Sequence, residues 1–175
     1  ILGCLAPALP ARYGSNLCVL MLTAHPVSVA ASLATRGHYS RNRNPAWAIS
    51  AMHDSARFSA YRSRWADMTP FERSLFRWLE ITSLGLEFRE RHPEVQLLSM
   101  RSDELFADGS ARVAQIAQMI GLPPRELSFD VPKNEALDSH VERRPLGDEW
   151  RRVYDMPEVF GAIAAIYYSQ LGLSL

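Results

Sequence analysis

An α/β fold, a partial parallel sheet with a helix-rich remainder, is predicted by three observations. An unbroken apolar run at 17–23 leads into a helix start at Pro26. A second strand-like run at 95–100 lies between two amphipathic helical segments. The order strand, helices, strand, helix is the pattern of a parallel sheet joined by helical crossovers.

Taken in order, the run Leu17-Cys-Val-Leu-Met-Leu-Thr23 is short and continuous, which fits a strand covered on both faces. Pro26 suits the first turn of the next helix, where its missing N–H costs nothing. That helix should carry Val27, Ala30, Ala31 and Leu33 to about Arg36 and stop at Gly37. Residues 38–45 are polar and turn-rich, hence a loop. A second helix is expected over 46–61, with Trp47, Met52 and Phe58. Thr69-Pro70-Phe71-Glu72 is a capping box with proline at the first helical position. Behind it Phe71, Leu75, Leu79, Thr82 and Leu86 share one face, widened by Phe76, Trp78, Ile81 and Phe88. So broad an apolar face predicts deep burial. Gly85 within it predicts a close approach, since glycine there costs about 1 kcal/mol against alanine. Residues 110–120 form a short amphipathic helix with Val113, Ile116, Ala117 and Ile120 inward, closed by Gly121. Residues 127–150 read as irregular, and a last helix opens near residues 155–157 with Phe160, Ile163, Ala164 and Tyr167.

At 175 residues with 47% apolar and 22% charged residues, the chain suits one globular domain, 1–175. Zero formal net charge offers no extended basic face for nucleic acid, and no apolar run is long enough to span a bilayer. Lys133 is the only lysine, so no Gly-x-x-x-x-Gly-Lys phosphate loop exists within these residues. Arginine elsewhere suits phosphate and sulfate, although codon usage gives the same bias. Cys4 and Cys18 form no Cys-x-x-Cys pair, and the five histidines show no metal spacing. A reduced, cytoplasmic setting and no metal are the expectations. The opening Ile1 and its short apolar stretch read as a chain entered midway, its N-terminal portion missing.

Three segments carry a family resemblance. In the stretch from Cys18 to Leu33, Pro26 follows a strand and Ser32 stands eight positions after Ala24. This resembles the sulfotransferases that use phosphoadenosine phosphosulfate (PAPS), in which a strand ends in Arg-x-Pro and a helical serine follows. The order Trp78, strand, Arg101-Ser-Asp103-Glu104-Leu105, helix, Met119-Ile-Gly-Leu122 is similar to the same family's second half. Glu142-Arg143-Arg144-Pro-Leu-Gly147-Asp148-Glu-Trp150 looks like its Arg-Lys-Gly loop. The resemblance implies a P-loop-type sulfotransferase fold with PAPS as the sulfuryl donor. It implies Ser32, Arg143 and Arg144 at the nucleotide 3′-phosphate, and it makes Asp103 and Glu104 fold markers. Ala24 stands where the family has a phosphate-binding arginine.

The implied activity is transfer of a sulfuryl group to a hydroxyl or amine of a small-molecule or carbohydrate acceptor. No residue is assigned as catalytic, and the phosphosulfate loop is expected upstream. The stretch 36–47, with His38, Tyr39, Arg41 and Arg43, reads as either an acceptor rim or a solvated loop. An unpaired sheet edge predicts self-association. The alternative from another class is a non-catalytic, largely helical scaffold that keeps this fold.

Overall fold

The computed structural model describes residues 8–40, 49–102, 105 and 108–123. The chain divides into two compact units. Among the described residues the first takes in 8–24 and those from 84 onward, and the second takes in 25–40 and 49–83.

The first unit is mixed α/β. It begins with helix α1, Ala8–Tyr13, and a 3₁₀ turn, Gly14–Asn16, ahead of strand β1, Cys18–Thr23. β1 pairs in parallel with β2, Gln96–Arg101, in a register that sets Cys18 opposite Gln96 and Thr23 opposite Arg101. Parallel neighbours need a long crossover, and residues 24–95 supply it with helices α2, Pro26–Thr35, and α3, Pro70–Arg91. Met100, Val95, Leu86 and Ala117 are buried here. Helix α4, Gly109–Met119, ends as its sequence predicts. Gly121 adopts φ 74°, its N–H bonds Gln118 O, and the Leu122 N–H bonds Ala117 O at 2.8 Å. That pair of bonds satisfies carbonyls the helix end would otherwise leave open.

Two expectations are corrected in this unit. Leu22 is 51% exposed, so β1 is not covered on both faces along its whole length. The alternating pleat turns Leu22 away from its buried neighbour Thr23. Ile120 is exposed as well, because the C-cap leaves the helical face one residue before the apolar periodicity ends.

Gly85 meets the expected close approach. A Cβ there would lie 2.8 Å from the sulfur of Met21 on β1. The obstructing atom is the tip of a flexible thioether, which can move aside. Gly85→Ala is therefore expected to change stability by no more than about 1 kcal/mol, since helix propensity offsets the crowding. Gly85→Leu should cost about 1–3 kcal/mol by overpacking. Urea denaturation of both variants checks this.

In the second unit α2 runs from Pro26 to Thr35 with Pro26 at its start, and it closes as α4 does. Gly37 takes φ 75°, its N–H bonds Ala34 O, and the His38 N–H bonds Leu33 O. α3 opens with the expected capping box: the Thr69 N–H donates to Glu72 Oε2 at 2.5 Å and the Glu72 N–H to Thr69 Oγ1 at 3.2 Å. Thr69→Ala is expected to cost about 1 kcal/mol, measured as a lower midpoint of thermal unfolding. The core gathers Val27 and Ala30 from α2 and Phe71, Leu75, Phe76 and Leu79 from α3. The face read from the sequence is buried, Thr82 and Leu86 included, but Ile81 is 45% exposed and lies off it.

The helix expected over 46–61 is not formed in its described part. Residues 49–58 make turns, and a 3₁₀ segment runs Ser59–Arg64. Local side-chain bonds compete with the helical ladder here. The Ser50 hydroxyl takes the Met52 N–H at 3.1 Å, and the Arg62 guanidinium holds Ala51 O and His53 O. The final helix near residues 155–157 and the irregular stretch 127–150 lie outside the described residues.

Candidate functional site

The strand–helix connection singled out by the sequence is short: β1 ends at Thr23, Ala24 and His25 follow, and Pro26 starts α2. His25 is the N-cap and supplies no side-chain cap, while its carbonyl takes the Val29 N–H at 3.0 Å. The α2 N-terminus thus keeps the partial positive charge of uncapped backbone donors. Ser32 lies further along the same helix, half-buried, and its carbonyl accepts the Arg36 N–H. Ala24 contributes no charge. Arg143 and Arg144, with the acidic pair Asp103 and Glu104, lie outside the described residues.

Within the first unit, the carboxyl ends of the strands bring Thr23 opposite Arg101, and the Thr23 hydroxyl donates to Met100 O at 3.4 Å. An open groove of about 540 Å³ lies at the other end of the sheet, lined by Tyr13, Asn16, Cys18, Gln96 and Met119. Ligands of open parallel sheets sit outside the carboxyl ends of the strands. The groove is at the amino ends, so it does not match the nucleotide reading.

A third arrangement belongs to the second unit. Tyr39, expected on an exposed rim, is 4% exposed and adopts φ 60°, a left-handed conformation rarely taken by an aromatic residue. Its hydroxyl donates to Ile49 O at 2.6 Å, and its ring meets Trp65 edge-on at 5.9 Å. The bond to Ile49 and the ring packing hold a conformation that costs about 1–3 kcal/mol. Arg73 stacks on Trp65 at 5.3 Å, its Nε and Nη2 donating to Trp65 O and its Nη2 also to Ala66 O. Arg77, one turn further along α3, is half-buried, and its charge acts on the Tyr39 phenol.

Burial pushes the Tyr39 phenol above its ordinary value near 10, while the Arg77 charge and hydrogen bond, and the Arg73 charge, pull it down. A raised folded value means the native state holds its proton more tightly than the unfolded chain does. The corresponding stability is fully present below pH 10 and is lost as pH rises through the folded value. Tyr39→Phe should be less stable at neutral pH by about 1 kcal/mol, through the lost bond to Ile49. Its stability should then fall less steeply above about pH 10 than that of the parent, measured by urea midpoints across the alkaline range.

The sequence reading missed Arg73; the available signal was an arginine in the buried half of a helix, beside an apolar face rather than on the solvated one. Among the described residues no group of His, Cys, Asp and Glu could hold a metal ion, and no helix is long and apolar enough to cross a membrane. Compared with protein-family models, with curated proteins and with solved structures, the chain matches none of them.

Proposed function

We propose that this chain is a sulfotransferase-like protein of the P-loop-type fold, working on PAPS and a hydroxyl- or amine-bearing acceptor. What carries the reading is the connection from β1 through Ala24 and His25 to a proline-initiated helix bearing Ser32, in a strand paired in parallel with β2. An anionic phosphate suits such a helix start, where free N–H groups and the helix dipole favour negative charge. In this reading Ser32 donates to the 3′-phosphate, and Arg143 and Arg144 supply the charge that Ala24 lacks.

The chemistry would be in-line displacement: the acceptor oxygen or nitrogen forms a bond to sulfur as the bond from sulfur to the bridging phosphate oxygen breaks. The acceptor proton passes to a base, and charge develops on the leaving phosphate. These residues include no Gly-Lys phosphate loop for that leaving group. The 175 residues alone are therefore expected to bind the nucleotide without turning it over.

A second reading, a scaffold that keeps the fold without chemistry, is favoured by Ala24. Calorimetric titration of 3′-phosphoadenosine 5′-phosphate separates the two. On the sulfotransferase reading the parent binds, and the Arg143→Ala/Arg144→Ala double variant binds at least about tenfold more weakly, the scale of a lost charge-assisted bond. Ser32→Ala should weaken binding by a smaller factor. A folded parent that takes up no nucleotide leaves the scaffold reading in possession.

A further inference from the structure

We propose that the groove at the amino ends of β1 and β2 binds a small, planar, neutral ligand by its amide edge. The site goes beyond the sulfotransferase reading and does not rest on it. It belongs to the first unit alone and lies away from the carboxyl ends of the strands.

Five elements meet at this groove. Tyr13 ends α1, Asn16 closes the 3₁₀ turn, Cys18 and Gln96 open the two strands as register partners, and Met119 ends α4 with Ile120 as its cap. The Cys18 thiol has a single proton, directed between Gln96 Oε1 at 3.5 Å and Met119 O at 3.7 Å. It thereby links both strands to the end of α4. The Leu17 N–H bonds Gly14 O at 3.2 Å and closes the turn that carries Asn16. The enclosed space of about 540 Å³ falls within the range of small-ligand sites.

The lining selects the ligand class. None of the described residues lining the groove is acidic or basic. A charged ligand would leave water there without an opposite charge to meet it. The end of α4 adds the negative pole of its helix dipole, which disfavours an anion further. Asn16 and Gln96 are both carboxamides, each a donor and an acceptor, and the N–H and C=O of an amide edge complement both functions. Tyr13 and Ile120 are 49% and 50% exposed, so folding leaves two large apolar side chains at the groove uncovered. The Arg12 guanidinium lies over the Tyr13 ring at 5.7 Å. A flat ring suits this apolar rim, and Cys18 and Met119 add polarizable sulfur.

The probe is benzamide, with benzoate and benzamidine as its anionic and cationic counterparts. Ligand-detected NMR titration is expected to show saturable benzamide binding, with both charged analogues at least about tenfold weaker. Saturating benzamide should also slow modification of the Cys18 thiol by methyl methanethiosulfonate, with peptide mass spectrometry separating Cys18 from Cys4. Gln96→Leu removes an amide partner and should weaken benzamide by about fivefold. Ile120→Glu changes an exposed residue, so the fold is kept, and it should turn the preference toward benzamidine. No saturable benzamide binding, or benzoate or benzamidine binding the parent as tightly, overturns the proposal. Benzamide binding that leaves Cys18 unprotected, or that is unchanged in both variants, lies elsewhere and overturns it too.

Discussion

Phe76→Ala is expected to destabilise the protein by about 3–5 kcal/mol, the range for removing a fully buried aromatic ring. Phe76 is among the most deeply buried large side chains, and it joins the rings of the second unit. It meets Trp65 edge-on at 5.1 Å and Tyr61 at 5.8 Å. Trp65 in turn meets Tyr39 and carries the Arg73 guanidinium. The loss therefore has a hydrophobic part, a cavity part, and a smaller part from edge-to-face contacts worth about 0.5–1.5 kcal/mol each. Against a total of about 5–15 kcal/mol for an ordinary domain, a loss of this size can leave a large unfolded fraction. Phe76→Leu should cost less, because it keeps most of the volume and gives up only the ring geometry. Urea unfolding followed by tryptophan emission checks both variants. A Phe76→Ala cost below about 1 kcal/mol would show that the rings repack without Phe76.

The elements legible in the sequence are those set by local rules. Pro26 at a helix start, Gly37 and Gly121 at helix ends, and the Thr69–Glu72 box each solve the problem of a helix terminus with residues only a few positions away. The buried face of α3 was legible because its apolar spacing runs for several turns. What was not legible depends on partners distant in sequence. The helix expected over 46–61 gives way because Arg62 binds carbonyls of residues 51 and 53, and because Glu80 on α3 takes the Phe58 N–H. Tyr39 looked like a polar loop residue, but the reversal at Gly37 and the bond to Ile49 turn it inward against Trp65. Of the candidate nucleotide-site residues, Ser32 is placed on α2, while Arg143 and Arg144 lie outside the described residues. Arg73 escaped notice because its role depends on the Trp65 and Ala66 carbonyls and the Trp65 ring around it, information that spacing along one helix does not contain.

Glu80→Ala is the second large effect expected, about 2–4 kcal/mol, because it strips a backbone donor of its only replacement for a helical carbonyl. Phe58 has φ −98° and ψ 53°, outside the helical region, so its N–H lies beyond any regular ladder. Glu80 Oε1 accepts that N–H at 2.9 Å, while Oε2 lies 3.8 Å from the Arg57 guanidinium. The Glu80 side chain is 5% exposed and that of Arg57 26%. The ion pair is long and one partner is partly hydrated, so solvent screening reduces its share, and the backbone hydrogen bond is the larger part. Two further variants separate the contributions. Glu80→Gln keeps an oxygen for Phe58 and should recover more than half of the loss. Arg57→Ala removes the pair but leaves the hydrogen bond, and should cost about 1 kcal/mol. If Glu80→Gln proves as damaging as Glu80→Ala while Arg57→Ala is equally severe, the charge rather than the backbone bond holds the turn to α3. Denaturation midpoints for the three variants at one pH decide between them.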